Sequence, residues 1–286
     1  MSETLQVLRL CVSGGTPDPS PVYDVLGKRN ILAEDSQYLN LGYWDDGAGS
    51  FDEACQALAS QLGAAARMGP GDAVLDVGFG FADQDIHWLD RFCPDRIVGL
   101  NITGSQVRAA RLRVDRLGLS SRIDLRYGSA TNIPARAGEF DVVTSLESAF
   151  HYDTRADFFR EAFRVLRPRG RLALADIVAR DGYSPRLKDR LGYRMARRFW
   201  RIPRENHYAW DVYRDKLAAA GFERIERRSI REHVFAPFAR FARRRLADAE
   251  LGRRMNPLIR ALFKAGVRDD SLFEGFDYLI VTAQRG

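Results

Sequence analysis

The 286-residue sequence predicts an α/β fold: a seven-stranded, mostly parallel sheet with helices on both faces and an inserted, mostly helical cap. Two observations predict this fold class. Short apolar segments alternate with longer segments whose apolar residues recur at helical spacing, and this alternation is typical of β-α-β units. Within Asp72–Asp85, a short apolar run stops at Gly78-Phe79-Gly80, which is typical of a buried parallel strand that turns sharply into a helix. Together they indicate a Rossmann-like arrangement.

The strands are predicted where short apolar runs stop at glycine or polar residues. In chain order they cover residues 73–77, 96–100, 123–127, 140–145, 172–177, 222–230 and 276–283.

The helices are predicted from apolar residues that recur every three or four positions, with glycine or proline at their ends. Gly69-Pro70-Gly71 ends the first helix, Pro94 ends the second, and Thr103 or Ser105 can cap the third. In chain order they cover residues 51–68, 86–92, 105–117, 155–166 and 208–220, followed by a long, basic, mostly helical stretch at residues 234–264.

The composition is typical of a globular protein, with 45% hydrophobic and 29% charged residues. No apolar run is long enough to cross a membrane, so no membrane span is expected. Three cysteines without a C-x-x-C spacing indicate neither a disulfide framework nor a zinc site, and a reducing, cytoplasmic location is expected. The net charge of +6 is concentrated between Arg180 and Arg204, where nine Lys and Arg residues face two acidic residues. One basic stretch without an RNA-binding module does not predict a nucleic-acid partner.

Polar residues follow several of the predicted strands at their carboxyl ends, where open α/β sheets bind ligands. No Lys or Arg follows the glycines, so these groups suit a nucleoside better than a pyrophosphate. The residues at these strand ends are Gly78 and Gly80, Asn101, Ser129 and Ala130, Leu146 with Glu147 and His151, and Asp176.

Five motifs in order give the chain a family resemblance. The sequence resembles the class I S-adenosylmethionine-dependent methyltransferases, and within them the natural-product enzymes, over roughly residues 36–180. The motifs are V-L-D-V-G-F-G, G-L-N-I-T-x-x-Q-V, G-S-A-T-x-x-P, S-L-E-S-A-F-H-Y and F-R-V-L-R-P-R-G-R-L-A-L-A-D-I.

The resemblance implies S-adenosyl-L-methionine as the cofactor. Asn101 stands where many relatives have an acid that binds the ribose hydroxyls, and Ala82 stands where a third glycine is frequent. The cofactor-binding residues that the resemblance implies are Asn40, Gly78, Gly80, Gln84, Asn101, Ile102, Gln106, Ser129, Ala130 and Leu146.

The reaction implied is methyl transfer to a small-molecule, secondary-metabolite acceptor, and O-methylation is the leading interpretation. A hydroxyl acceptor needs its proton removed, and a neutral imidazole is the natural base. The resemblance places His151 as that base and Asp176 as the carboxylate that orients or assists it. A structural histidine, and an aspartate that caps a turn, remain the alternatives for these two residues.

A basic segment, residues 182–204, interrupts the strand-helix rhythm directly after the fifth strand. Its apolar residues share one helical face, so we expect a lid over a bulky, apolar acceptor, with an anionic acceptor left open. The residues expected at the acceptor are Tyr43, Glu147, Phe199 and Trp200.

The chain contains no internal repeat or linker, so residues 1–286 are predicted to form a single methyltransferase domain. Residues 1–50 are interpreted as an N-terminal lid segment and residues 72–181 as the cofactor-binding core. Residues 182–204 and 234–270 are interpreted as cap insertions over the acceptor site. A homodimer is left open, and no metal ligand is assigned.

Two alternative functions remain open at this point. C-methylation of a prenyl diphosphate, or of another anionic apolar acceptor, would use the basic segment and Asp269, Asp270 and Glu274 as Mg²⁺ ligands. A solvated turn is the other interpretation of those three acids. A pericyclase-type protein would keep the fold and the cofactor without transferring a methyl group.

Overall fold

The computed structural model describes residues 32–45, 47–184, 200–248 and 273–286, together with Tyr193, Arg260, Ala261, Lys264 and Val267. The helices of the described residues are α1 (Phe51–Ala65), α2 (Asp83–Phe92), α3 (Gly104–Arg116), α4 (Arg155–Val165), α5 (Trp210–Ala219) and α6 (Arg231–Ala247). The strands are β1 (Ala73–Val77), β2 (Arg96–Asn101), β3 (Ile123–Tyr127), β4 (Phe140–Leu146), β5 (Leu166–Ala179), β6 (Phe222–Ser229) and β7 (Phe276–Arg285). Two short 3₁₀ helices lie at Ala149–His151 and Arg204–Asn206.

The seven strands form one sheet in the order β3-β2-β1-β4-β5-β7-β6. Strands β1 to β5 are parallel, and β7 runs antiparallel to both β5 and β6. The strand order therefore reverses direction between β1 and β4, which is where open α/β sheets form a ligand crevice. The predicted mostly parallel, seven-stranded sheet is confirmed.

Helices cover both faces of the sheet. Buried residues of α1, α2, α3 and α6 pack in one apolar core, and buried residues of α4 and α5 pack in a second core on the opposite face. All five residues of β1 are buried, as expected for a central parallel strand covered on both sides.

Local chemistry explains most of the helix boundaries. Ser50 forms a capping box at the start of α1, and Thr154 forms one at the start of α4. Thr103 is the N-cap residue of α3, but its side chain makes no capping hydrogen bond. Residues 167–170, which lie between the predicted fourth helix and fifth strand, are part of β5, whose pairing with β4 shifts register between Phe140 and Val142.

Parts of the predicted caps lie outside the described residues. These parts include residues 185–192, 194–199 and 249–259, and with them Phe199. Among the described helices, none is long and apolar enough to cross a membrane.

Candidate active site

A cavity of about 320 Å³ lies at the carboxyl ends of β1, β2 and β4, at the point where the strand order reverses. The segment Gln37–Asn40 covers it from the N-terminal side, and His151 and Tyr152 line it beyond the end of β4. Ten of its lining residues are those that the sequence predicts for the cofactor: Asn40, Gly78, Gly80, Gln84, Asn101, Ile102, Gln106, Ser129, Ala130 and Leu146.

The glycine turn after β1 has a positive φ at both glycines, 90° at Gly78 and 59° at Gly80. L-residues rarely adopt this region, so glycine is required by the backbone itself. At Gly78 there is a second reason, because a Cβ would overlap the side chain of Ser148. At Gly80 a Cβ would meet only Leu39, at an ordinary 3.6 Å, so the space beside Gly80 remains open to the cavity.

Two acidic side chains, Asp76 and Asp85, are buried behind this turn. Buried Asp76 accepts hydrogen bonds from Gln84 Nε2 (3.0 Å) and Thr144 Oγ1 (3.1 Å). Because the amide nitrogen of Gln84 is used in this way, its carbonyl oxygen is the group left to face a ligand. Burial raises the pKa of Asp76 to about 7. Burial and then the Asp76 charge raise the pKa of Asp85, whose carboxylate has no hydrogen-bond partner among the described residues.

Two amides are oriented by a backbone group at the end of β2. Asn101 Oδ1 accepts a hydrogen bond from the N–H of Thr103 (3.1 Å), so Asn101 Nδ2 must face the other way. Nδ2 donates to Gln106 Oε1 (2.9 Å), which in turn leaves Gln106 Nε2 as the outer donor. This buried nitrogen has no hydrogen-bond partner in the described part of the chain. An unpaired donor is costly in a buried position, so the site fits a ligand that presents an oxygen or ring nitrogen there.

His151 lies at the other side of the cavity and is 9% exposed. Burial lowers its pKa to about 4, so the imidazole is neutral near pH 7. Its Nδ1 lies 3.4 Å from the carbonyl oxygen of Arg201. Because a carbonyl only accepts hydrogen bonds, we assign the proton to Nδ1, which makes Nε2 the basic nitrogen.

Glu147 lines the cavity directly after β4, with a left-handed φ of 47°. Its Oε1 accepts hydrogen bonds from the N–H of Leu41 (2.8 Å) and from the hydroxyl of Tyr278 (2.7 Å). Burial raises the pKa of the Glu147 carboxyl to about 7. This side chain therefore joins the N-terminal segment, the end of β4 and strand β7.

The structure does not bring Asp176, predicted as the carboxylate that orients or assists the base, to the cavity. Asp176 is fully buried in an ion pair with Arg155 (3.0 Å), and it accepts a hydrogen bond from the Tyr213 hydroxyl (2.9 Å). It is not among the residues that line the cavity. Strand side chains alternate between faces, and Asp176 shares the face of Leu174 and Val178, which is covered by α4 and α5.

The residues predicted at the acceptor are dispersed. Tyr43 packs against His233, with ring centroids 4.8 Å apart, and does not line the cavity. Trp200 is half-buried against Phe273 and likewise lies outside the cavity lining. Of the four predicted residues only Glu147 lines the cavity, and Phe199 is outside the described residues.

The proposed magnesium ligands cannot be compared as a set, because Asp269 and Asp270 lie outside the described residues. Within the part of the chain that the structure describes, no group of three or more His, Cys, Asp or Glu residues could hold a metal ion.

Sequence reasoning missed two buried polar residues near His151, namely Arg155 and Asn206. Arg155 is the first residue of α4, where a positive charge opposes the helix dipole. That unfavourable position was a signal that Arg155 has a specific buried partner. No comparable signal marks Asn206, which is 51 residues further along the chain.

Comparison with known proteins gives a consistent result. A family model described as a methyltransferase domain matches residues 75–174. The chain is 38% identical over 273 residues to erythromycin 3''-O-methyltransferase of Saccharopolyspora erythraea, covering 92% of this chain and 88% of that enzyme. It is 35% identical over 140 residues to 27-O-demethylrifamycin SV methyltransferase of Amycolatopsis mediterranei, covering 49% of this chain and 51% of that enzyme.

Among solved structures, the [4+2]-cyclase SpnF has a TM-score of 0.75 at 24% identity, covering 94% of this chain and 96% of that one. A geranyl diphosphate methyltransferase in complex with SAM has a TM-score of 0.68 at 19% identity, covering 87% of this chain and 99% of that one. At these identities the two likenesses show the fold alone.

Proposed function

The chain belongs to the class I S-adenosylmethionine-dependent methyltransferases, and from this premise we propose that it methylates a hydroxyl group of a small secondary metabolite. The proposed methyl donor is S-adenosyl-L-methionine, bound in the cavity between Gln106 and His151. The acceptor is proposed to be bulky and largely apolar.

The observation that carries this proposal is the pairing of two groups in one cavity. At one side, the unpaired donor Gln106 Nε2 suits a ribose oxygen or an adenine nitrogen. At the other side, His151 is neutral and can accept a proton. The high similarity to an enzyme named as an O-methyltransferase supports the same choice of acceptor atom.

The residues present fit the proposed cofactor at both ends. Gln84 Oε1 and the open space beside Gly80 would receive the methionine part, and Asn101 with Gln106 would receive the ribose. When bound, S-adenosyl-L-methionine supplies an electrophilic methyl group. Segment Gln37–Asn40 lines this space, and its closure over a bound donor would exclude water and strengthen electrostatic interactions there.

His151 then has one defined task. When the acceptor oxygen takes the methyl group, the methyl–sulfur bond of the bound donor would break and S-adenosylhomocysteine would leave as a neutral thioether, while the acceptor's hydroxyl proton would pass to His151 Nε2 to give an imidazolium. A base with a pKa of about 4 in the free protein is weak, so alignment of the acceptor within hydrogen-bond reach must supply a large share of the rate.

Two measurements test the proposal. Calorimetric titration with S-adenosyl-L-methionine and S-adenosylhomocysteine should show binding, and a mass-spectrometric screen of a metabolite extract should show an acceptor that gains one CH₂. With that acceptor, His151→Ala should lower kcat by about 10²–10⁴-fold while cofactor affinity stays unchanged.

His87→Ala is the matched control, because His87 hydrogen-bonds Ser60 and Gln56 away from the cavity. Its activity should equal that of the wild type. Absence of cofactor binding would refute the methyl-transfer proposal, and a fully active His151→Ala enzyme would refute the role of His151.

The C-methylation alternative predicts turnover that depends on magnesium. Its basic segment and two of its three acids lie largely outside the described residues, so no structural observation favours it. Proton removal by His151 needs no metal ion, so the O-methylation proposal predicts that activity persists when divalent cations are removed with EDTA.

A further inference from the structure

One side chain holds the backbone on both sides of His151. Asn206 Nδ2 donates hydrogen bonds to the carbonyl oxygens of Phe150 (3.2 Å) and Tyr152 (2.6 Å), the residues immediately before and after the histidine. Asn206 is 1% exposed, so water does not compete for these bonds. The loop that presents His151 to the cavity is thereby fixed from behind.

Asn206 is itself held by the start of α4. Its Oδ1 accepts the backbone N–H of Arg155 (2.9 Å), and Arg155 Nη1 donates to the backbone carbonyl of Asn206 (2.9 Å). The Arg155 guanidinium is in turn paired with Asp176, which the Tyr213 hydroxyl also contacts. We call Asn206, Arg155, Asp176 and Tyr213 the Asn206 cluster.

The chemistry of this position requires an amide. The two carbonyls need donors and the Arg155 N–H needs an acceptor, and a side-chain amide provides both within one planar group. Since all three partners are backbone groups of known polarity, the orientation of the Asn206 amide is determined. An aspartate would place oxygens against two carbonyl oxygens, although its shape is nearly the same.

The same short segment also sets the tautomer of His151. The carbonyl oxygen that faces His151 Nδ1 belongs to Arg201, five residues before Asn206. Residues 201–206 therefore orient the imidazole ring through Arg201 and position its backbone through Asn206.

We propose that Asn206 is a positioning residue for His151, and that Asp176 acts on His151 through Arg155 and Asn206 instead of by direct contact. This inference rests on the proposed role of His151 as the base. It gives Asp176, which does not line the cavity, an indirect connection to the loop that presents His151. A misplacement of a reacting group by about 1 Å can cost on the order of 10²-fold in rate.

The main test is Asn206→Asp, with Asn132→Asp as a control in which an exposed amide becomes an acid. Asn206→Asp should lower kcat by about 10-fold to 100-fold, while the affinity for S-adenosylhomocysteine, measured by calorimetry, stays unchanged. Asn132→Asp should change neither quantity. Unchanged kcat in Asn206→Asp, or an equal loss of cofactor affinity, would overturn the proposal.

A pH profile separates positioning from a general loss of structure. Burial lowers the pKa of His151 most, the hydrogen bond to the Arg201 carbonyl raises it, and the charges of Arg201 and Arg155 lower it further. Releasing the loop exposes His151 to water, so the acid limb of kcat/KM should move from about pH 4 toward the ordinary imidazole value of about 6.5. A limb that does not move contradicts the proposal.

Combining variants distinguishes this inference from the proposed function. In a His151→Ala background, Asn206→Asp should lower kcat no further, because both changes remove the same contribution. If His151→Ala alone has no effect, the proposed base is wrong. If both single variants lower kcat and their effects multiply, the base stands and the positioning role fails.

If Asn206→Asp does not fold, Asn206→Ser is the second variant. It keeps one donor and one acceptor and should show the same changes in kcat and in the pH profile at smaller size.

The wild-type protein provides a further measurement that needs no variant. Nitrogen-15 NMR of the imidazole should show the proton on Nδ1 of His151. A proton on Nε2 instead would contradict the orientation that this segment is proposed to impose.

Discussion

At the scale of single residues, burial controls the charge of the groups around the cavity. It lowers the pKa of His151 to about 4 and raises those of Asp76 and Glu147 to about 7. Each shift has the same cause, since removing a group from water disfavours its charged form. The two of these groups that line the cavity, Glu147 and His151, are therefore less charged near pH 7 than they would be in water, which suits an apolar acceptor.

Glu147→Gln should make stability less dependent on pH. The folded-state pKa of Glu147 lies above its ordinary value of 4.5, so its stabilising contribution is complete below about pH 4.5 and is lost as the pH rises through about 7. A glutamine can accept the same two hydrogen bonds without acquiring a charge. The Tm of the variant should match that of the wild type at pH 5 and exceed it at pH 8. Each kcal/mol of difference in the free energy of unfolding corresponds to about 2–4 °C in Tm.

Glu226→Gln, which removes an exposed carboxylate from β6, is the control and should show no such pH-dependent difference. A Tm difference for Glu147→Gln that is constant from pH 5 to pH 8 would contradict this interpretation.

At the scale of elements, the turn between β1 and α2 is the most constrained part of the site. It passes through three residues with positive φ, Gly78, Gly80 and Ala82, and α2 then begins without a side-chain cap. The left-handed conformation costs about 1–2 kcal/mol for an L-residue, so Ala82 stores strain at the point where the backbone meets the cavity. The strain is compensated by the buried packing of β1 and α2.

Gly78→Ala should disrupt this turn. The new Cβ would overlap Ser148 and would also occupy a φ of 90°, so we expect destabilisation by more than about 2 kcal/mol and weaker binding of S-adenosylhomocysteine. Urea unfolding and calorimetry measure the two effects. Adding Ser148→Gly should recover the part of the stability loss that comes from the overlap with Ser148. The part that comes from the positive φ of residue 78 should remain.

Gly69→Ala is the matched control, because nothing lies within 4 Å of its Cβ position and its φ is not in the left-handed region. Its stability should stay within about 0.5 kcal/mol of the wild type. Equal effects at Gly78 and Gly69 would mean that the turn is not constrained as described.

At the scale of the whole molecule, carboxylates from separate elements hold the N-terminal segment over the cavity. Asp52 of α1 accepts the N–H groups of Glu34 and Asp35, each at 2.9 Å. Asp83 of α2 accepts the N–H of Gln37 (3.2 Å), and Glu147 accepts that of Leu41. The segment has no regular secondary structure, so these side chains replace the partners that its backbone would otherwise lack.

Hydrogen exchange with and without S-adenosylhomocysteine should show whether this segment closes over the ligand. Residues 37–44 should exchange more slowly in the complex, together with residues 78–84 and 101–106, because all three regions contribute to the cavity. Strand β6, at the far edge of the sheet, should be unaffected. Protection of residues 78–106 without any change in residues 37–44 would show that the segment is not a lid.

The sequence by itself determined the positions of the seven strands and the residues at their carboxyl ends. Apolar runs and glycine breaks are local signals, and parallel strands bring their carboxyl ends to one edge whatever the detailed packing. The strand-end residues Gly78, Asn101, Ser129 and Leu146 therefore line one cavity. The family resemblance implied the remaining cofactor residues and the role of His151, and these residues line the same cavity.

Only the tertiary structure decided which way the remaining side chains face and what they touch. The sequence does not say which face of β5 is covered by α4, so the ion pair of Asp176 with Arg155 could not be foreseen. Asn206 reaches the carbonyls around His151 from more than 50 residues away. Such contacts depend on the packing of the whole sheet and its helices, and no local propensity encodes them.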